Sequence, residues 1–227
     1  MDIRVIKLRM LLKAAIIFVP GMAYLTYGIP HSMKFTENNL YHIYNRGNNR
    51  QQIFFSDENY MYFLKKVRKF ILPFCDIINY NLMPNHFHFI IHADERTVQN
   101  TLIGNQEKNV LSEALRNVLH TYTKGINKQN DWTGSLFQQN TRAKCLYDGD
   151  ASYAPTCFHY VHQNAWKAGI VQKMEDWSFS SFPDYAGFRS DTICNKSLAF
   201  KLLEIDPVTF YFESYQLIQE SSIKFIF

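Results

Sequence analysis

Several function classes leave no trace in this chain. The four cysteines, Cys75, Cys145, Cys157 and Cys194, are scattered with no CxxC pair. That excludes a zinc-finger framework and makes reduced thiols in a cytoplasmic setting the plain reading. No Gly-rich loop of the Walker type occurs, so nothing supports nucleotide hydrolysis or a nucleotide cofactor. Internal repeats and low-complexity tracts are missing as well. Charge is nearly balanced, with 24 basic and 20 acidic residues and a net +4, which fits a nucleic-acid binder without requiring one. A single long apolar run spans residues 10–29 behind Arg4, Lys7 and Arg9, and Lys13, Pro20 and Gly21 interrupt it. No small-residue cleavage site follows it. Residues 1–32 are therefore expected to be an extension: a signal-like or membrane-anchoring segment, or translated sequence upstream of a start at Met33.

Hydrophobic residues make up 47% and aromatics 16% of 227 residues, enough to bury a substantial core. One domain at 33–190 is expected, followed by a tail at 191–227 with some helix. Residues 40–45 (LYHIYN) alternate and read as a strand. Ser56 and Asp57 open a helix in which Tyr60, Phe63, Leu64, Val67 and Phe70 recur at helical spacing up to Pro73. Residues 77–82 and 86–92 read as strands joined at Met83-Pro84-Asn85, an antiparallel hairpin. Residues 94–109 are polar and read as irregular. A helix is expected over 110–126, a short strand over 141–146, and a helix capped by Asp150 or Ser152 and ending before Gly169. The order β-α-β-β-α-β-α implies an α+β fold, a ferredoxin-like antiparallel sheet flanked by helices.

Two constellations carry chemistry. His86-Phe87-His88 lies in a strand, so the two imidazoles project from one face while Phe87, Phe89 and Ile91 project from the other. A stiff strand makes them a half-site for a divalent metal; the plainer alternative is two part-exposed histidines beside an aromatic core. His92 lies further along that face and reads as a strand-end residue. Tyr160 and Asn164 stand one helical turn apart. A phenol of pKa near 10 is a weak nucleophile unless assisted, and the amide oxygen of Asn164 suits a hard cation. Tyr122, near Lys124 and Asn127, is the alternative nucleophile. His120, His159 and His162 read as solvent-facing helix histidines, and Trp132, Trp166 and Trp177 as packing residues that could stack on a base if exposed.

Taken in order, LYHIYNRG (40–47), IF (53–54), LMPNHFH (82–88), GSLFQ (134–138), YVHQNAWKAG (160–169) and WSFSS (177–181) resemble the single-tyrosine HUH transposases. The nearest branch is the REP-associated tyrosine transposases and their IS200-like relatives from small insertion sequences. The resemblance covers residues 40–188 and implies His86, His88 and Asn164 as metal ligands, Mg²⁺ or Mn²⁺ as the ion, and Tyr160 as the nucleophile. It also implies a 5′-phosphotyrosine intermediate, with single-stranded or hairpin DNA as substrate. Ala165 stands where the family commonly has proline. Arg46, Arg50, Lys65, Arg116, Lys124 and Arg142 are candidate contacts to the DNA backbone, and a homodimer is a candidate assembly. Two rival classes stay open: a non-catalytic binder of folded single strands, and a metal nuclease that uses water.

Overall fold

The computed structural model of the protein describes residues 33–147, 153–190, 192–216 and 218. Readings placed on residues 1–32, and the cap placed at Asp150 or Ser152, lie outside these residues. Along the chain run β1 (Asn39–Arg46), α1 (Asp57–Phe70), β2 (Asp76–Met83), β3 (His86–Ala93), β4 (Asn100–Ile103), β5 (Gln106–Asn109) and α2 (Val110–Asn130). There follow β6 (Arg142–Cys145), α3 (Tyr153–Lys167), α4 (Phe182–Tyr185), α5 (Lys196–Leu203) and α6 (Phe210–Ser214). The main sheet has the order β2-β3-β1-β6, and every neighbouring pair is antiparallel. With α1 and α2 as the crossovers, this is the ferredoxin-like arrangement that the element order implies. Among the described residues no helix is long and apolar enough to cross a membrane, and no disulfide joins the cysteines.

Each face of the sheet has its own helical layer. Phe87, Phe89, Ile91 and Ile43 project toward α1 and α2, where they meet Phe63, Val67, Leu115 and Val118. Phe63 is the hinge of this layer, with rings of Phe54, Phe87 and Tyr122 all within 5.4 Å of its centroid. Truncating such a ring costs about 3–5 kcal/mol, because the rigid neighbours collapse only partly into the void. The helix ends follow their chemistry: Asp57 and Glu58 open α1, and Arg68 and Lys69 close it, matching the dipole. Asn109 caps α2 by accepting from Ser112 N.

The opposite face carries α3 and the segment after it. That segment adds an edge to β2: Leu82 N donates to Phe179 O, Ser181 N to Tyr80 O, and Asn81 bridges Ser180. Arg189 ties it down, bonding Asp184, Tyr80 Oη and the carbonyls of Ser178 and Ser180. Helices α5 and α6 pack here too, with Leu203 and Phe210 buried.

The structure departs from the sequence reading in two places. Residues expected to be irregular contain the β4–β5 hairpin, which turns at Gly104 with φ +60°. Its residues are exposed along β4 and half or fully exposed along β5, so no apolar alternation marks it. His162 is buried rather than solvent-facing, with Nε2 2.8 Å from Ser181 Oγ, and His159 Nδ1 lies 2.9 Å from Ser214 Oγ on α6.

Burial holds both rings neutral: His159 is pushed down from 6.5 to about 4, and His162 well below 6.5. As pH falls below 6.5 the unfolded chain takes up these protons first, so their contribution to stability is whole above pH 6.5 and drains toward pH 4. Urea midpoints are therefore expected to fall between pH 7 and pH 4.5, with a shallower fall for His159→Gln. An equal pH slope in the two proteins would remove His159 from this account.

Candidate active site

Residues directly opposed in an antiparallel pair share a face, and this places the site. Arg46 opposes His86, and Tyr44 opposes His88. From the other side Asn81 opposes His88 and Met83 opposes His86, while Arg142 opposes Tyr44 on β6. His86 and His88 thus share a face with Arg46, Arg142, Tyr44 and Asn81. Their rings stand 4.9 Å apart and nearly perpendicular, close enough to address one ion.

Each imidazole is held at Nδ1. His86 Nδ1 lies 2.6 Å from Asn85 Oδ1. The orientation of that amide is fixed in turn, because Asn85 Nδ2 donates to the carbonyl of Arg50 at 3.2 Å. An amide oxygen can only accept, so His86 carries its proton on Nδ1 and presents a lone pair at Nε2. His88 Nδ1 lies 2.8 Å from His42 Nε2. Burial, then Arg46, pushes the pKa of His86 down to about 4. Burial, then His42, His86 and Arg46, pushes that of His88 well below its ordinary value. Two neutral imidazoles of fixed orientation make a donor pair suited to a divalent cation.

Helix α3 brings the phenol. Two buried asparagines on β2 grip the helix backbone: Asn79 Nδ2 donates to Phe158 O at 2.9 Å and Asn81 Nδ2 to Val161 O at 2.8 Å. These carbonyls bracket Tyr160, so they set which way its side chain turns. Its ring meets that of His88 edge-on, with centroids 6.4 Å apart. Tyr160 is 9% exposed, and burial, then Cys157, pushes its pKa up to about 12. Asn164 is half-buried one turn on. Its Nδ2 donates to Tyr160 O at 2.9 Å, which turns Oδ1, the atom a cation would take, away from its own helix.

The alternative nucleophile is elsewhere. Tyr122 is fully buried in the α1–α2 layer, across the sheet from the histidines, and its hydroxyl donates to Ile53 O at 2.6 Å. The basic candidates divide in the same way. Arg46 and Arg142 lie on the histidine face, and Arg50 is exposed at the turn that Asn85 contacts. Lys65 on α1 and Lys124 and Arg116 on α2 belong to the other layer, and Arg116 is paired with Glu113.

A second group of ligand-type atoms, from Asp76, His92 and Asp94, lies within 4.8 Å at the far end of β3. There Arg96 bonds both carboxylates and already supplies the positive charge.

Sequence reasoning missed His42, Asn85 and Asn81. The signal for His42 was its parity: in an alternating strand it shares a face with Tyr44 and Arg46. The flanking blocks are scaffolding. Gly47 bridges Phe137, and a Cβ on Gly47 would lie 2.1 Å from the carbonyl oxygen of Gln51. Asn45 Nδ2 donates to Gln138 O and Thr141 Oγ1. Trp177 Nε1 donates to Asn81 Oδ1 at 3.1 Å.

A tyrosine and two strand histidines on one face of a ferredoxin-like sheet define a class, and comparison with known proteins identifies the family. The chain belongs to the family described as "Transposase IS200 like", which it matches over residues 35–164. Its fold is similar to that in "Structure of the REP associates tyrosine transposase bound to a REP hairpin", at 16% identity and a TM-score of 0.50. That likeness covers 72% of this chain and 88% of the other. No curated protein matches the chain.

Asn81 joins α3 to the sheet and to Trp177 at once. Asn81→Leu leaves the indole N–H with its bond to Leu82 O alone and removes the side-chain donor to Val161 O, and is expected to cost about 1–3 kcal/mol in chemical denaturation. An unchanged midpoint would show that the Asn81 bonds add nothing to the attachment of α3.

Proposed function

We propose that this chain cuts and rejoins single-stranded DNA by transesterification, with Tyr160 as nucleophile and His86, His88 and Asn164 as ligands of Mg²⁺ or Mn²⁺. The observation that carries this reading is the edge-on approach of Tyr160 to His88 on the face that also bears His86, within a single chain. The solved relative was bound to a REP hairpin, and we extend hairpin DNA to this chain as its substrate.

Tyr160 is held protonated by burial, so it reacts only when the phosphate and its surroundings favour the phenolate. When bound, a divalent cation supplies positive charge beside the scissile phosphate. The Tyr160 oxygen attacks phosphorus in line, an O–P bond forms, and the bond to the 3′ oxygen breaks. That oxygen leaves with the electron pair and takes up the proton that the phenol gives away. The 5′ phosphate stays on the enzyme as a phosphotyrosine, and a later attack by a 3′ hydroxyl reverses the step. One phosphodiester is exchanged for another, so no outside energy source is needed. Arg46 and Arg142 lie on the sheet face of the histidines and would contact the strand through its phosphates.

An end-labelled hairpin oligonucleotide with a single-stranded flank, incubated with Mn²⁺, tests the reading. A covalent protein–DNA adduct is expected, and none with Tyr160→Phe. His86→Ala removes several kcal/mol of charge stabilisation, a fall of about a thousandfold in adduct rate. Cleavage that survives Tyr160→Phe would point to a water-using nuclease instead, and binding without cleavage to a DNA-binding relative.

A further inference from the structure

We infer that His42 is a positioning residue for the cation site. It fixes the tautomer of His88 so that Nε2 of that ring, and not Nδ1, faces the ion. This rests on the reading of His86 and His88 as ligands.

His42 lies at the centre of β1, fully buried and opposed to Ile90. A strand at that depth is served most cheaply by an aliphatic side chain, since a buried imidazole must be hydrogen-bonded to offset its desolvation. The bond it makes is directed at one atom. His42 Nε2 stands 2.8 Å from His88 Nδ1, and the two rings are inclined by only 17° with centroids 5.0 Å apart. That is the side-by-side geometry of an in-plane N–H···N bond, in which one nitrogen donates and the other accepts. The ring of Tyr44 stacks on His42 at 4.8 Å and 25°, which limits rotation of the imidazole out of this plane.

His86 supplies the direction of the proton. Its Nδ1–H is assigned by Asn85 Oδ1, and Nε2 is the ligand atom. For His88 to offer the same atom beside it, its proton must also sit on Nδ1, and His42 Nε2 must accept. The two ligands are thus oriented by two different acceptors, an amide from the turn before β3 and an imidazole from the neighbouring strand. A metal-binding histidine whose other nitrogen is held in this way gains both orientation and basicity, and loss of the holding group costs about 10–100-fold in metal affinity.

The variants His42→Gln and His42→Phe of the full chain test this. The Gln amide can place an oxygen near the position of Nε2, whereas Phe fills the space with no acceptor. Without metal, imidazole ¹⁵N–¹H correlation spectra are expected to show His88 protonated on Nδ1 in the unmodified protein and in His42→Gln, and not in His42→Phe. Calorimetric titration with Mn²⁺ should give affinities within about threefold for Gln and weakened about 10–100-fold for Phe. Thermal melts report whether each variant is folded. A folded His42→Phe that keeps both the tautomer and the Mn²⁺ affinity overturns the inference. If that variant does not fold, His88 protonated on Nε2 in the unmodified protein overturns it instead. A different failure, full Mn²⁺ affinity in His88→Ala, would sink the underlying assignment of the ligands and leave the tautomer result standing.

Discussion

The pairing of β1 with β3 is the constraint on which the rest depends. Its register runs unbroken from Asn39 opposite Ala93 to Arg46 opposite His86. With a period of two, this one alignment sends Phe87, Phe89 and Ile91 into the helical layer and His86 and His88 to the other face. A slip by one residue would place two imidazoles among Phe63, Val67 and Leu115 and turn three large apolar side chains onto the polar face beneath α3. The aromatic core therefore does more than stabilise the sheet. It fixes the face that carries the proposed site, because the register that buries the phenylalanines also aligns the histidines with His42, Tyr44 and Arg46.

The helix that delivers Tyr160 buries Ala154, Cys157, Phe158, Val161 and Ala165 against the fold, and polar bonds add direction to that apolar seam. Asn79 and Asn81 are fully buried, and both donate to α3 carbonyls. Carbonyls inside a helix already accept one bond and have a second lone pair to offer. The asparagines use that capacity, and they specify rotation about the helix axis in a way that Leu or Val contacts would not. Asn81 opposes His88 on the sheet and bonds Val161 O on the helix. A single side chain therefore spans the two halves of the site. Trp177 occupies its remaining oxygen, which is why the WSFSS block, remote in sequence, belongs to the same arrangement.

Much of this was legible before the fold. Strand alternation marked β1 and β3, helical spacing marked α1, α2 and α3, and the i, i+4 relation paired Tyr160 with Asn164. The features that escaped share a cause: each depends on a partner far away along the chain. His42 has meaning only opposite His88, and Asn79 and Asn81 only beneath α3. Residues 177–181 form an edge only because β2 lies alongside. The β4–β5 hairpin escaped for another reason, since with its residues exposed or half-exposed it lacks the apolar period that burial imposes. Tyr122 shows the converse limit. Its neighbours Lys124 and Asn127 made it a rival to Tyr160 in sequence, yet its own helical spacing with Val118 and Leu115 already assigned it to the buried face of α2.

Charge balance distinguishes the two places where a cation could be held. At Asp76, His92 and Asp94 the carboxylates would neutralise an incoming divalent ion, and Arg96 already does that work for them. His86 and His88 are neutral donors kept uncharged by burial, and Asn164 would add a neutral oxygen. An ion held by neutral ligands keeps its full charge for whatever approaches from outside. With Arg46 and Arg142 on the same face, the partner such a centre favours is an anion with several oxygens, as a phosphodiester is. With Arg96 already on both carboxylates at the other site, the histidine face is the one that the proposed function assigns to phosphate.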